Sequence, residues 1–263
     1  MSTTVVTIDK TRPGIPMARL VRVELRKLVD TRAGFWLLVS IGIITALVVV
    51  IQQWVVAAQD MHIQYSDIAQ AMATPMGIFL PVLGVMSVTS EWGQRTGLVT
   101  FTLEPRRNRV VIAKLLAGVI TAIASVALAL VMGVFGNLAY GGLTGHKVVW
   151  DVTTLAIGGI LLSWVIGLLT GFAFGMLLMN TAAAIVLFFV YSFVLPGLLE
   201  WGYETVSWIH DIRPWIDFSD AQVPLFDATM SGKDWAQFVL SGAVWFVLPL
   251  GVGVWRLLRS EVK

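Results

Sequence analysis

Cysteine is absent from this chain, and charge is scarce. The first absence excludes disulfides, thiolate metal sites and thiol nucleophiles. The second excludes a water-covered globule: only 13% of the residues are charged, where a soluble domain carries roughly a quarter. Apolar residues make up 57% of the sequence and the mean hydropathy is +0.82, so lipid must replace water over much of the surface. Histidine occurs three times, as His62, His146 and His210, each in a segment expected as an outer loop. No histidine pair can therefore hold a haem between spans. There is no H-E-x-x-H helix and no Ser-His pair within an apolar run, which removes zinc proteolysis and serine attack. No ionisable group lies in the middle of a run, which speaks against a carboxylate-driven ion-coupled transporter. Nor is there a G-x-x-x-x-G-K-[ST] phosphate loop, since Gly232-Lys233 is followed by Asp234. The reading expects no enzyme, no metal and no cofactor in this chain, and no nucleic-acid partner. The first 32 residues are polar and basic, so no secretory signal is expected.

What is present is a series of long uncharged segments. A spanning helix needs about 20 mostly apolar residues. Segments free of Lys, Arg, Asp and Glu run over 33–59, 68–90, 115–146, 152–199 and 235–255, with 27, 23, 32, 48 and 21 residues. The fourth is long enough for two helices. Met179-Asn180-Thr181 near its middle is the natural turn, because Asn tolerates turn conformations and hydrogen-bonds locally. The fold class is thus all-α and polytopic, with six spans at about 34–58, 69–90, 112–140, 152–178, 181–200 and 235–256. Five spans, one of them long and tilted, is the competing count. Residues 1–32 form a polar N-terminal region, 33–257 the membrane domain and 258–263 a tail.

Basic residues set the expected orientation. With the N-terminus inside, 15 of the 18 Lys and Arg fall on inner segments, while 10 of the 16 acids fall on outer ones. Both termini are then expected on the cytoplasmic side.

Three segments outside the spans carry information. Residues 1–16 read as unstructured. Residues 17–32 place Val21, Leu25, Leu28 and Val29 on one helical face, with Arg19, Arg22 and Arg26 away from it. That pattern fits a basic amphipathic helix in the membrane interface, although a plain topogenic flank has the same charge. The inner loop 90–114 contains Leu98, Val99, Phe101 and Leu103 and then four bases within Arg106 to Lys114. It reads either as a positive anchor or as a short helix offering apolar groups to a partner. The acidic stretch 201–234 holds Trp201, Tyr203, Trp208, Trp215, Phe218 and Phe226, which suits short helices at the outer headgroup level or a lid over the bundle. Its acids Asp211, Asp217 and Asp220 are expected to face water. Within the spans, Gly167, Gly171 and Gly175 share one face and permit close helix approach. Pro75, Pro81, Pro196 and Pro249 allow kinks.

This arrangement resembles the membrane subunit of type-2 ATP-binding-cassette exporters, a six-span permease. The resemblance rests on Glu91 at the end of the second span, the Thr96-Gly97 turn, the apolar stretch Leu98–Leu103, Pro105, the pair Arg106-Arg107 and Lys114 entering the third span. Glu24, Leu25, Lys27 and Thr31-Arg32 before the first span match as well, as does the ending Trp255-Arg256-Leu257-Leu258-Arg259. Its style is similar to actinobacterial members. The resemblance implies two permease subunits, identical or different, above two cytoplasmic ATPase subunits that carry the ATP and Mg. Glu91, Arg95, Thr96, Gly97, Leu98, Phe101, Leu103, Pro105, Arg106 and Arg107 would form the ATPase-docking coupling helix. Arg22, Glu24, Arg26 and Lys27 would belong to the interfacial helix. The implied location is a bacterial inner membrane, and the implied task is export of a cargo that Gln52, Gln53, Asn137 and the many aromatics suggest is amphipathic or lipid-like. The strongly basic Arg106–Arg109 end departs from the family pattern and suits anionic lipid. A non-transporting scaffold in a larger membrane complex is the alternative.

Overall fold

The computed structural model describes residues 14–94, 96–226 and 228–259. Most of the N-terminal stretch read as unstructured, part of the tail, and Arg95 lie outside them. The described residues form helices and connections, without a strand. Helix α1 (Met17–Asp30) precedes the bundle. The spans are α2 (Arg32–Gln59), α3 (Tyr65–Gly93), α5 (Arg107–Thr144) and α6 (Thr154–Leu178), then two composite helices. The first of these joins α7 (Thr181–Phe189), a π segment (Val190–Val194) and α8 (Leu195–Thr205); the second joins α11 (Gly232–Gly242), a π segment (Ala243–Val247) and α12 (Leu248–Arg259). Between spans lie α4 (Gly97–Leu103), α9 (Ser207–Ile216) and α10 (Val223–Phe226). All six spanning helices are long and apolar enough to cross a bilayer, and the chain is an all-α polytopic membrane protein.

Local chemistry explains where the spans start and stop. Thr31 caps α2 by accepting from the Gly34 amide at 3.2 Å. Thr153 caps α6 through Ala156, also at 3.2 Å. Ser231 and Asp234 form a reciprocal capping box at α11. The turn inside the longest uncharged segment falls on Met179–Thr181. Met179 ends α6 in the left-handed region at φ 50°, and the Asn180 side chain accepts from the Ala183 amide at 3.0 Å. The one large departure from the expected boundaries is α5, which has 38 residues. At 1.5 Å per residue it is about 57 Å long, well beyond a hydrocarbon core of about 30 Å.

Helices α3 and α6 form the centre of the bundle, and glycine lets them touch. A Cβ on Gly171 would collide with the Pro81 carbonyl, and one on Gly84 with the Leu168 carbonyl. Gly175 lies over Val85 and Gly167 beside the Pro81 ring. All three glycines of the sequence stripe therefore face α3. Pro75 and Pro81 lie inside α3 without interrupting it. Pro196 and Pro249 each follow a π segment. A proline ring clashes with the carbonyl four residues earlier. Here those residues are Ser192 and Trp245, both within the widened turns, which open the helix where the ring needs room.

Residues 206–226 cover one end of the bundle. Gly159 of α6 meets the Leu225 backbone of α10, and Phe218, 2% exposed, packs against Phe238 and Gly242 of α11. The opposite end carries α1, α4 and the termini of α3, α5 and α12. These two ends are called the acidic end and the basic end below.

Candidate functional site

The densest polar site lies at the basic end, where α1, α3, α4 and α5 converge. Each helix contributes one or two side chains. Glu24 and Lys27 are one turn apart on α1, Glu91 closes α3, and Lys114 lies two turns into α5. The four charges form a closed ring. Lys27 Nζ lies 2.7 Å from Glu24 Oε1 and 2.6 Å from Glu91 Oε1. Lys114 Nζ lies 2.6 Å from Glu24 Oε2 and 3.0 Å from Glu91 Oε1. Lys114 also donates to the Ser87 carbonyl at 3.1 Å. Two carboxylates thus face two ammonium groups with no net charge. Lys114, Glu24 and Glu91 are buried, and Lys27 is partly open. A cavity of about 30 Å³ beside Glu24, Lys27 and Lys114 is large enough for a water molecule. Burial works against the Lys27 ammonium, but the Glu24 and Glu91 carboxylates outweigh it and hold its pKa above the ordinary lysine value of 10.5.

Helix α4 is tied to this ring. The Thr100 hydroxyl donates to Glu91 Oε1 at 3.2 Å. Phe101 packs against Trp92 with centroids 6.1 Å apart, and the Arg107 guanidinium lies 5.2 Å over its ring. Arg107 also donates to the Leu257 carbonyl near the end of α12. A second ion pair closes the loop, with Arg109 Nη1 at 2.6 Å from the buried Glu104. Arg109 reaches the Ile15 carbonyl ahead of α1 as well. The face of α4 turned away from the bundle carries Val99, 59% exposed, and Leu103, 71% exposed, beside exposed Thr102.

The expected coupling-helix residues therefore divide. Glu91, Phe101 and Arg107 anchor the segment. Thr96 caps α4 and accepts from the Thr100 amide at 3.2 Å. Gly97 and Leu98 open the helix. Leu103, Pro105 and Arg106 are exposed. Arg106 donates its amide to Glu104 at 3.4 Å. On α1, Arg22 is exposed and Arg26 pairs with Asp30 at 3.0 Å.

The apolar face read for α1 needs correction. Leu28 does face the bundle, but Val29 is exposed, and the other buried residue is charged Glu24. Glu24 can face inward because Lys114, 90 residues away, neutralises it there. The sequence reading gave Lys114 no site role and missed Glu104 and Thr100. Glu104 was the one acid in the basic run Glu104–Arg109, an isolated opposite sign that could have been noticed.

The acidic end has its own charge group. Arg213, its side chain largely covered by protein, sits against Glu200, Asp217 and Asp220 and lies 5.3 Å from the Tyr203 ring centroid. Asp217 does not face water as expected: it is 2% exposed. Its carboxylate accepts from the Ser219 and Asp220 amides at 3.1 Å each. Burial pushes the Asp217 carboxyl above the ordinary carboxylate value, against those amides and Arg213. The His62 and His146 rings lie 4.1 Å apart between centroids, tilted by 32°, and His146 lies 3.5 Å from Asp60. Among the described residues no group of three or more His, Asp or Glu is placed to hold a metal ion. No protein-family model and no curated protein matches this chain.

Proposed function

We propose that this chain is the membrane-spanning permease subunit of an ATP-driven exporter. On this reading it pairs with a second permease and docks on two separate ATPase subunits that bind ATP and Mg. The basic end is the cytoplasmic face of a bacterial inner membrane, and the cargo is amphipathic or lipid-like. The observation that carries the reading is α4, a short helix beyond the spans that turns Val99 and Leu103 outward while its inner face is fixed to the charge ring. A load applied to Val99 and Leu103 would pass through Thr100 to Glu91 at the end of α3, and from Glu91 through the two lysines to α1 and α5. Arg107 would carry part of it to α12. One contact patch could thereby move three spans and the interfacial helix together, which is what a subunit driven from outside requires.

The test is co-purification with ATPase subunits from the native membrane, followed by ATP-dependent cargo movement in reconstituted vesicles. Val99→Asp with Leu103→Asp should abolish ATPase association and leave the thermal melt of the purified subunit unchanged. Retained association and transport in that variant would remove the docking role from α4. A complex that assembles but never moves cargo would favour a scaffold.

A further inference from the structure

Helices α2 and α5 touch along part of their length and leave a groove between them in the half of the bundle nearest the acidic end. Its volume is about 590 Å³, within the roughly 300–1,000 Å³ of ligand pockets. Buried Val49, Gln53 and Gly136 form its floor, and the small side chains of Ala46 and Ala139 line it beside them. The walls are large: Trp54 is 72% exposed, Phe135 67% and Leu143 67%. Gln53 is the one polar lining residue. Its amide atoms are themselves buried and make no hydrogen bond, and Nε2 would lie 3.6 Å from a Cβ on Gly136. The accessible surface of the groove is therefore hydrocarbon almost throughout.

Length and position narrow the occupant. On α2 the lining runs from Ala46 to Ala57 and on α5 from Met132 to Leu143, which at 1.5 Å per residue is about 17 Å. Half of a hydrocarbon core of about 30 Å is about 15 Å. The groove thus spans one leaflet. It begins close to the helix ends at Asp60 and Gly145, where headgroups lie, and stops near the midplane. A second helix is the poorer fit. Close helix contacts in membranes put small residues on both ridges of the seat, and here the ridges carry Trp54, Phe135 and Leu143.

We propose that this groove is a binding site for a bilayer phospholipid, holding one acyl chain of the leaflet at the acidic end. The chain lies along Ala46, Gly136 and Ala139 with Trp54 and Phe135 closing over its sides. This inference rests on the spanning architecture and is independent of the exporter reading.

The experiment uses the full chain in phosphatidylcholine–phosphatidylglycerol vesicles doped with a phosphatidylcholine that bears a photoreactive diazirine on its acyl chain. Labelled residues are mapped by mass spectrometry. Labelling at Ala46, Gly136 and Ala139 should exceed, by several-fold, that at Val239 and Leu240, which are exposed apolar positions in the same half of the bundle. Ala46→Phe with Ala139→Phe should remove the excess and leave labelling at Val239 unchanged. Equal labelling of the groove and of Val239 in the wild-type chain would overturn the site, so the result does not depend on the variant folding. The cysteine-free sequence gives a second arm: Trp54→Cys should form no disulfide between copies in the membrane. Efficient crosslinking there would place a second copy in the groove and overturn the lipid assignment.

Discussion

At the scale of single residues, the charge ring is costly to leave incomplete. Removing one member of a buried ion pair costs about 3–5 kcal/mol, because the partner stays buried without its counter-charge. Lys114→Met leaves Glu24 and Glu91 to share Lys27 alone, an excess negative charge in a buried site, so it should lower the melting temperature of the detergent-solubilised protein. Adding Glu91→Gln should recover part of the loss, and a double-mutant cycle would isolate the coupling. If the single and double variants melt alike, the two side chains do not act as a pair. The pH dependence has a definite sign. The folded pKa of Lys27 lies above its unfolded value of 10.5, so its contribution is complete below that pH and is lost as pH rises through the folded value. The Lys27 contribution should therefore be insensitive to pH from neutral to about 10. Asp217 is also raised, from 3.8. Its contribution is complete below that value and falls as pH climbs through the folded pKa, so its ionisation weakens the fold as pH rises above 3.8. Asp217→Asn keeps an oxygen for the Ser219 and Asp220 amides and should flatten the melting temperature across that window. An unchanged pH profile would place the titration elsewhere.

At the scale of helices, close approach makes sharp distinctions among glycines. Gly171→Ala drives a methyl group into the Pro81 carbonyl, and backbone cannot swing aside. The cost should reach the 1–3 kcal/mol typical of overpacking, or about that figure. Gly167→Ala meets only the Pro81 ring at 3.7 Å and should be nearly neutral. Gly77→Ala meets nothing within 4 Å and should gain up to about 1 kcal/mol of helix propensity. Thermal melts of the three variants check the order. The spans themselves were legible in the sequence because charge is excluded from hydrocarbon, so cutting at charges recovers helix ends. The Met179–Thr181 turn was legible because Asn180 caps locally. The extent of α5 was not legible, since its first turns carry Arg107 and Arg109, which look like loop in a search for apolar runs. Nor were the π segments, which add a residue without disturbing hydropathy; only Pro196 and Pro249 hinted at them. Glu24 escaped for a different reason. Local periodicity sees one helix, whereas the partner that makes its burial affordable lies on another.

At the scale of the whole molecule, the separation of charge between ends predicts a fixed sense in the membrane. Single cysteines at Leu103 and Lys147, both exposed, should react with an impermeant maleimide from opposite sides of intact cells. With the basic end inside, Lys147→Cys labels directly and Leu103→Cys labels only after permeabilisation; the reverse pattern would invert the positive-inside assignment. The two π segments bear on how those ends relate. They belong to different spans yet meet through Tyr191 and Trp245, whose rings are 4.9 Å apart, and Trp245 donates to the Ile216 carbonyl at 2.8 Å. A widened turn is a helix carrying one surplus residue. Because each residue turns an α-helix by about 100°, each surplus acts as a phase shifter. It sets the azimuth of everything on its acidic-end side against everything on its basic-end side. Deleting one residue within Val190–Val194 would restore the regular winding and rotate α8, with the cap that follows it, by about a quarter turn while leaving α7 seated on α3 and α6.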